Sequence, residues 1–256
     1  AAAAAAVQPL FFGQPKPWSA APAGSFGDAR ARYGSKGVNL ACMSRDGIPV
    51  PEGFVLPASL GRLRRLQGRA AFDAWLDQRL VSWIRLLEEE IAGNDGASIR
   101  FGDPQAPLIL SVRSGSAVSM PGVLSTIPDI GINAEVVEGL IRRTGNSWFA
   151  WDTYRLFLRD YAVAAWGLHA DQFNDIIPRF KTAEGVQSKT QLSPQAMQAV
   201  ATAYETVIRE AGHEQALQAI LANPWQTLRE AIHTVLDSWE DGAARVFREQ
   251  EGLSHH

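Results

Sequence analysis

Two short runs of this sequence carry residue types that could do chemistry. The first is Gly34-Ser35-Lys36-Gly37. Glycines let a backbone approach a ligand closely. A helix opening here would present free N–H groups and a partial positive charge to an anion. Lys36 adds a full positive charge on a flexible stem. Gly34, Lys36 and Gly37 together suit a phosphate. The string is not a Walker A loop, because its first glycine and its lysine have the wrong spacing. The competing use is a plain turn, the commoner fate of short Gly-Lys-Gly strings. The second run is Ser111-Val112-Arg113-Ser114-Gly115. It closes an apolar stretch that reads as a buried strand, and α/β folds place ligands at such strand ends. Arg113 offers a planar fork of donors matched to phosphate. Ser114, Gly115 and Ser119 could add hydroxyl and backbone donors. The competing use is an arginine paired with a carboxylate at the edge of the core.

Other candidates point to structure rather than chemistry. Cys42 lies on an apolar helical stripe and reads as a small core residue. His169, His213 and His233 are scattered, and no pair has helical metal-ligand spacing. Glu88-Glu89-Glu90 reads as a solvated helix end. The eight tryptophans fall mostly on helical stripes and read as core. No Ser-His-Asp or Cys-His arrangement can be argued.

The elements that must position the two runs follow from periodicity and punctuation. Residues 1–30 are rich in Ala, Pro and Gly and read as an irregular lead-in, with Ala1–Ala6 a tail rather than a signal peptide. Val38, Ala41 and Cys42 recur at helical spacing, and Gly47 stops that helix. Ile48 to Pro51 must be extended, because residues before proline leave the helical region. Gly53 to Leu56 reads as a short strand. Phe72, Leu76, Leu80, Trp83, Leu87 and Ile91 mark one side of a long helix. Leu108 to Val112 reads as one buried strand. From Asn133 the pattern is helical: a stripe at Val136, Val137, Leu140 and Ile141 ends at Gly145, and Phe149, Leu156, Phe157 and Tyr161 lie in the next helix. Pro178 kinks or ends a third. Ser193-Pro194 opens a fourth, with an N-cap serine and proline at the first helical position. The fold class is therefore α+β: an α/β subdomain over 31–132 and a helical subdomain over 133–256.

Composition narrows the partners. The 256 residues are 46% hydrophobic and 20% charged, with a net charge of −3. That balance favours neither nucleic acid nor a membrane surface. The single cysteine rules out a disulfide within the chain and a cysteine zinc site, and it fits a reducing, cytoplasmic setting. No apolar run is long enough to span a bilayer.

Four blocks, in this order, resemble the pyruvate, phosphate dikinase family. They are GSKGVNLACMSRDGIPVPEGF (34–54), FGDPQAPLILSVRSGSAVSMPG (101–122), TGNSWFAWDTYRLFLRDYA (144–162) and, more weakly, SWEDGAARVFREQEG near the end. The first two are also similar to phosphoenolpyruvate synthase. The MPG turn and the FAWDTYR block point to the dikinase branch. The resemblance implies a partial ATP-grasp-like α/β lobe, nucleotide-binding, with a large helical segment. It implies that Lys36 and Arg113 bind ATP phosphates, with Gly34, Gly37, Ser114 and Gly115 beside them. It implies magnesium, with ligands expected outside this chain. ATP would phosphorylate a histidine on a downstream domain, and the group would pass to pyruvate in a further domain to give phosphoenolpyruvate. The second ATP-grasp lobe would begin just after Leu253, so this polypeptide alone should not complete the reaction. A homodimer is compatible with the resemblance.

The family pattern also has departures here. A second glycine is usual where Ser35 stands, an arginine at Ala117, an aspartate at Ser125 and an arginine at Ala243. Each loss removes a charged or close-approach group. They motivate an alternative, a non-catalytic or regulatory homologue with a degraded phosphate site. A relative with another phosphoryl acceptor is a third reading, and the MPG and FAWDTYR blocks speak against it.

Overall fold

A computed structural model describes residues 7–13, 25–95, 98–115 and 125–250. They are mostly helical with short two-stranded sheets, an α+β architecture. The described residues divide into two compact units. One draws on segments within 1–97, 114–124 and 238–256, and the other on 98–113 and 125–237. The boundary expected at 132/133 thus falls inside the second unit.

The first unit begins with β1 (Leu10–Phe12), α1 (Phe26–Arg45) and β2 (Gly53–Val55). β1 and β2 pair antiparallel, Leu10 opposite Val55 and Phe12 opposite Gly53. The lead-in expected over 1–30 is therefore not irregular throughout: its described residues include a strand and the start of a helix. The local cause is a capping box. Ser25 Oγ accepts from the Asp28 N–H at 3.2 Å, and the Ser25 N–H donates back to the Asp28 carboxylate at 3.2 Å. Leu10, Ala29, Tyr33 and Val38 form a core with Ala41, Cys42 and Val55 against it. Next come α2 (Ser59–Gln67) and α3 (Arg69–Asp95). Phe72, Leu76, Leu80, Trp83, Ile84 and Leu87 bury one side of α3, as the spacing requires. An aromatic chain joins the strands to α3, with Phe54 5.3 Å from Phe11 and 6.1 Å from Trp83. The Glu88–Glu90 run is not a solvated helix end. Glu88 and Glu90 are 5% and 2% exposed: Glu90 lies on the same side of α3 as buried Leu87 three residues back, and Glu88 on that of buried Ile84 four residues back.

The second unit holds β3 (Arg100–Phe101), β4 (Pro107–Leu108), β5 (Leu110–Arg113) and β6 (Thr126–Ile130). The single strand expected over 108–112 is split. Pro107–Leu108 pairs parallel with β3, whereas Leu110–Arg113 pairs antiparallel with β6 through an irregular register between Leu110 and Val112. Nor is β5 buried: Ser111 and Arg113 alternate outward between half-buried Leu110 and Val112. The helices are α4 (Ala134–Thr144), α5 (Ser147–Trp166), α6 (Asp171–Asn174), α7 (Ile176–Glu184), α8 (Pro194–Ile208), α9 (Glu214–Ala222) and α10 (Pro224–Ser238), followed in the first unit by α11 (Gly242–Gln250). Pro178 lies in the first turn of α7, where a missing N–H does no harm, so it helps to open that helix instead of ending one. Ser193 caps α8 as expected, accepting from the Ala196 N–H at 3.0 Å. α5 packs chiefly on α8 and β6. Buried Tyr154 crosses that seam and donates to Glu205 at 2.8 Å. Among the described residues no helix is long and apolar enough to cross a membrane.

Two features of the second unit are open to measurement. Gly139 on α4 lies against the Pro104 carbonyl, which a side chain there would strike. Gly139→Ala should lower the unfolding free energy by about 1–3 kcal/mol, the range for overpacking. Gly242→Ala, facing open space, should show no loss in the same denaturant titration. Asp129 is half-buried with φ 56°. Burial, then the Asp160 and Asp152 carboxylates, push its pKa from 3.8 to about 6. The fold therefore binds this proton more tightly than the unfolded chain does. Stability from this group is full below pH 3.8 and is lost as pH rises through about 6. Asp129→Asn tolerates the same backbone and cannot ionise. Urea titrations should show it more stable than the parent at neutral pH, with a flatter profile between those two values.

Candidate functional site

The first run sits at a break in a helix. Gly34 lies within α1 at φ 75° and ψ 161°, outside helical space. A side chain would strain that conformation. The residues after Gly34 start a second helical segment, and the opening turn of a helix is where backbone N–H groups can face a ligand. The helix opening expected at this run is thus reached through a bend inside α1 and not through a fresh helix start. Lys36 is exposed, and no carboxylate pairs with it among the described residues. Ser35 Oγ accepts from Arg30 Nε at 3.2 Å.

Gly37 has a different use. It is buried, and a methyl group there would lie 2.7 Å from Val55 Cγ1. Its missing side chain lets α1 approach β2. The glycine therefore serves packing, whatever it also does for a ligand.

The second run straddles the division between the units. Ser114 is half-buried and Gly115 exposed in the first unit. A methyl group at Gly115 would sit 3.5 Å from the Tyr33 carbonyl oxygen. The structure thus brings the Ser114-Gly115 loop beside the residue preceding Gly34. Arg113 belongs to the second unit, opposite Thr126 on the exposed face of β5. The alternative of an ion-paired arginine at the core edge is not what is seen: among the described residues Arg113 has no carboxylate partner. Ala117, Ser119, Pro121 and Gly122 lie outside the described residues.

The remaining candidates make packing, pairing or stacking contacts. Half-buried Cys42 packs on the first unit's core. His169 pairs with Asp171 at 3.0 Å, and His213 stacks on Trp166 with centroids 5.2 Å apart. No group of three or more metal-binding side chains occurs among the described residues. The sequence reading passed over Tyr33 and Ser44. The signal for Tyr33 was its place immediately before Gly34. Ser44 gave none, since a serine near a helix end is ordinary.

Comparison with known proteins follows the same lines. No protein-family model matches the chain. Pyruvate, phosphate dikinase of Giardia intestinalis is 34% identical over 227 residues, 89% of this chain and 24% of that relative. The Clostridium symbiosum enzyme is 32% identical over 226 residues, 88% of this chain and 24% of the relative. The chloroplastic enzyme of Mesembryanthemum crystallinum is 33% identical over 219 residues, 86% of this chain and 22% of the relative. The chain thus spans about a quarter of the length of the curated relatives it matches. By sequence, over most of its own length, this chain belongs with the pyruvate, phosphate dikinases.

Proposed function

We propose that this chain is the ATP-binding portion of a pyruvate, phosphate dikinase-like phosphotransferase, with an ATP-grasp-like arrangement. The observation that carries the reading is a cation without a counter-ion beside a helix break. Lys36 follows Gly34 directly, is exposed, and has no carboxylate partner among the described residues. A polyphosphate would supply the missing negative charge, and amides of the new helical segment would donate to it. The Ser114-Gly115 loop beside Tyr33 adds backbone donors near the same break. Exposed Arg113, which has no carboxylate partner among the described residues, is read as a second phosphate ligand by its chemistry alone.

The described residues do not by themselves fit magnesium, since none of their acidic groups gathers into a metal cage. The metal would be held by ATP phosphates and by acids elsewhere. In the whole protein the phosphoryl group would pass to a histidine on another domain and then to pyruvate, giving phosphoenolpyruvate, in the cytoplasm. The second reading, a homologue with a degraded phosphate site, is favoured by Ala243. It is exposed at the start of α11 and offers no donor where the family resemblance puts an arginine.

Calorimetry on the intact protein tests the binding. Mg-ATP should bind, and Lys36→Ala and Arg113→Ala should each weaken it about 10- to 100-fold, the range for a charge-assisted hydrogen bond. Unchanged affinity in both variants would refute the assignment, and a folded protein with no Mg-ATP affinity would favour the degraded homologue. Incubation with ATP, phosphate and pyruvate should yield AMP, pyrophosphate and phosphoenolpyruvate, and AMP formation without phosphorylated pyruvate would reject the acceptor.

A further inference from the structure

The N-terminal strand grips helix α1 on both sides of Lys36. On the near side, the Tyr33 hydroxyl donates to the Gln8 carbonyl at 3.1 Å. At the far end, the Gly13 N–H donates to Ser44 Oγ at 3.1 Å, and the Ser44 hydroxyl donates back to the Gly13 carbonyl. Both side chains are buried, Tyr33 at 8% and Ser44 at 1% exposure. Between them Gly37 rests on Val55 of the paired strand. The helical segment that carries Lys36 is thus held before its first turn, within that turn and at its end.

Tyr33 has a second engagement. Its ring packs with Leu10, Ala29 and Val38, and its own carbonyl oxygen is the atom beside Gly115. One residue therefore ties the N-terminal strand through its side chain and meets the Ser114-Gly115 loop through its main chain. It is also the last residue before the φ 75° turn at Gly34. A shift of Tyr33 would move the start of the Lys36 segment and the neighbourhood of Gly115 together.

We propose that Tyr33 is a positioning residue for anion binding at Lys36, with Ser44 its counterpart at the far end of the helix. This rests on the reading of Lys36 as a phosphate ligand. Neither side chain need touch the ligand. Tyr33→Phe deletes one hydroxyl and keeps the ring in its core, so the fold is retained while the tether to Gln8 is lost. Ser44→Ala does the same at the other end.

The test is a double-mutant cycle on the intact protein, with Mg-ATP as the probe. Dissociation constants are read by calorimetry below every variant's melting temperature. Tyr33→Phe should weaken Mg-ATP about 3- to 10-fold, as expected for one hydrogen bond, and Ser44→Ala should weaken it in the same direction. In a Lys36→Ala background Tyr33→Phe should have no further effect, a coupling that a merely structural tyrosine would not show. If Lys36→Ala weakens binding while Tyr33→Phe and Ser44→Ala match the parent, the positioning role is wrong and the phosphate reading stands. If Lys36→Ala leaves binding unchanged, the phosphate reading fails and this inference fails with it.

Discussion

A backbone at φ 75° and ψ 161° is open to glycine and strained for nearly every other residue, and helix α1 holds such a residue, Gly34, in its middle. The rest of the first unit is arranged around that bend. Before it, Ala29 and Tyr33 face the core with Leu10. After it, Val38 faces the same core, Gly37 lies on Val55, and Lys36 turns outward. A straight helix would bury its amides in continuous hydrogen bonding and leave nothing for an anion. The bend frees a second helix start within what would otherwise be one element, and the flanking strands hold both halves.

The second unit solves a different problem, how to hold long helices in register. Asn133 and Asn146 cap α4 and α5, accepting from Val136 and Phe149 at 2.9 Å each. Half-buried Asp152 on α5 takes Arg155 at 2.6 Å and Lys189 at 2.9 Å. The Lys189 ammonium also lies 5.3 Å from the Trp148 ring centroid. The short turn Lys189–Gln191 before α8 is therefore tied to α5 by charge as well as by packing. Burial with the Glu205 carboxylate alongside pushes the Tyr154 phenol above its ordinary value, which keeps it a donor across the α5–α8 seam. The FAWDTYR block that carried the family resemblance thus also builds this helix-packing network.

Where the structure departs from the sequence reading, the usual habit of a residue type gives way to its place in the fold. Glutamates in a row usually face water, yet α3 buries Glu88 and Glu90 on two of its sides. A proline within a periodic stretch usually ends a helix, yet Pro178 falls where α7 begins. An apolar run usually makes one strand, yet Pro107–Leu108 and Leu110–Arg113 find different partners. The Ser25–Asp28 capping box was legible as a string but was obscured by the Pro, Gly and Ala around it.

Helix ends, apolar stripes and the chemistry of Lys36 and Arg113 follow from local residue types, because capping, periodicity and charge are properties of a few neighbouring residues. The family follows too, since it rests on ordered motifs. Tertiary structure decided what those residues meet. It set Gly115 beside the Tyr33 carbonyl, put Gly37 against Val55, tied Tyr33 and Ser44 to residues 25 and 31 positions away, and left Lys36 and Arg113 without carboxylates among the described residues. Burial and pairing across such separations are set by how the chain packs, and no window of the sequence contains them.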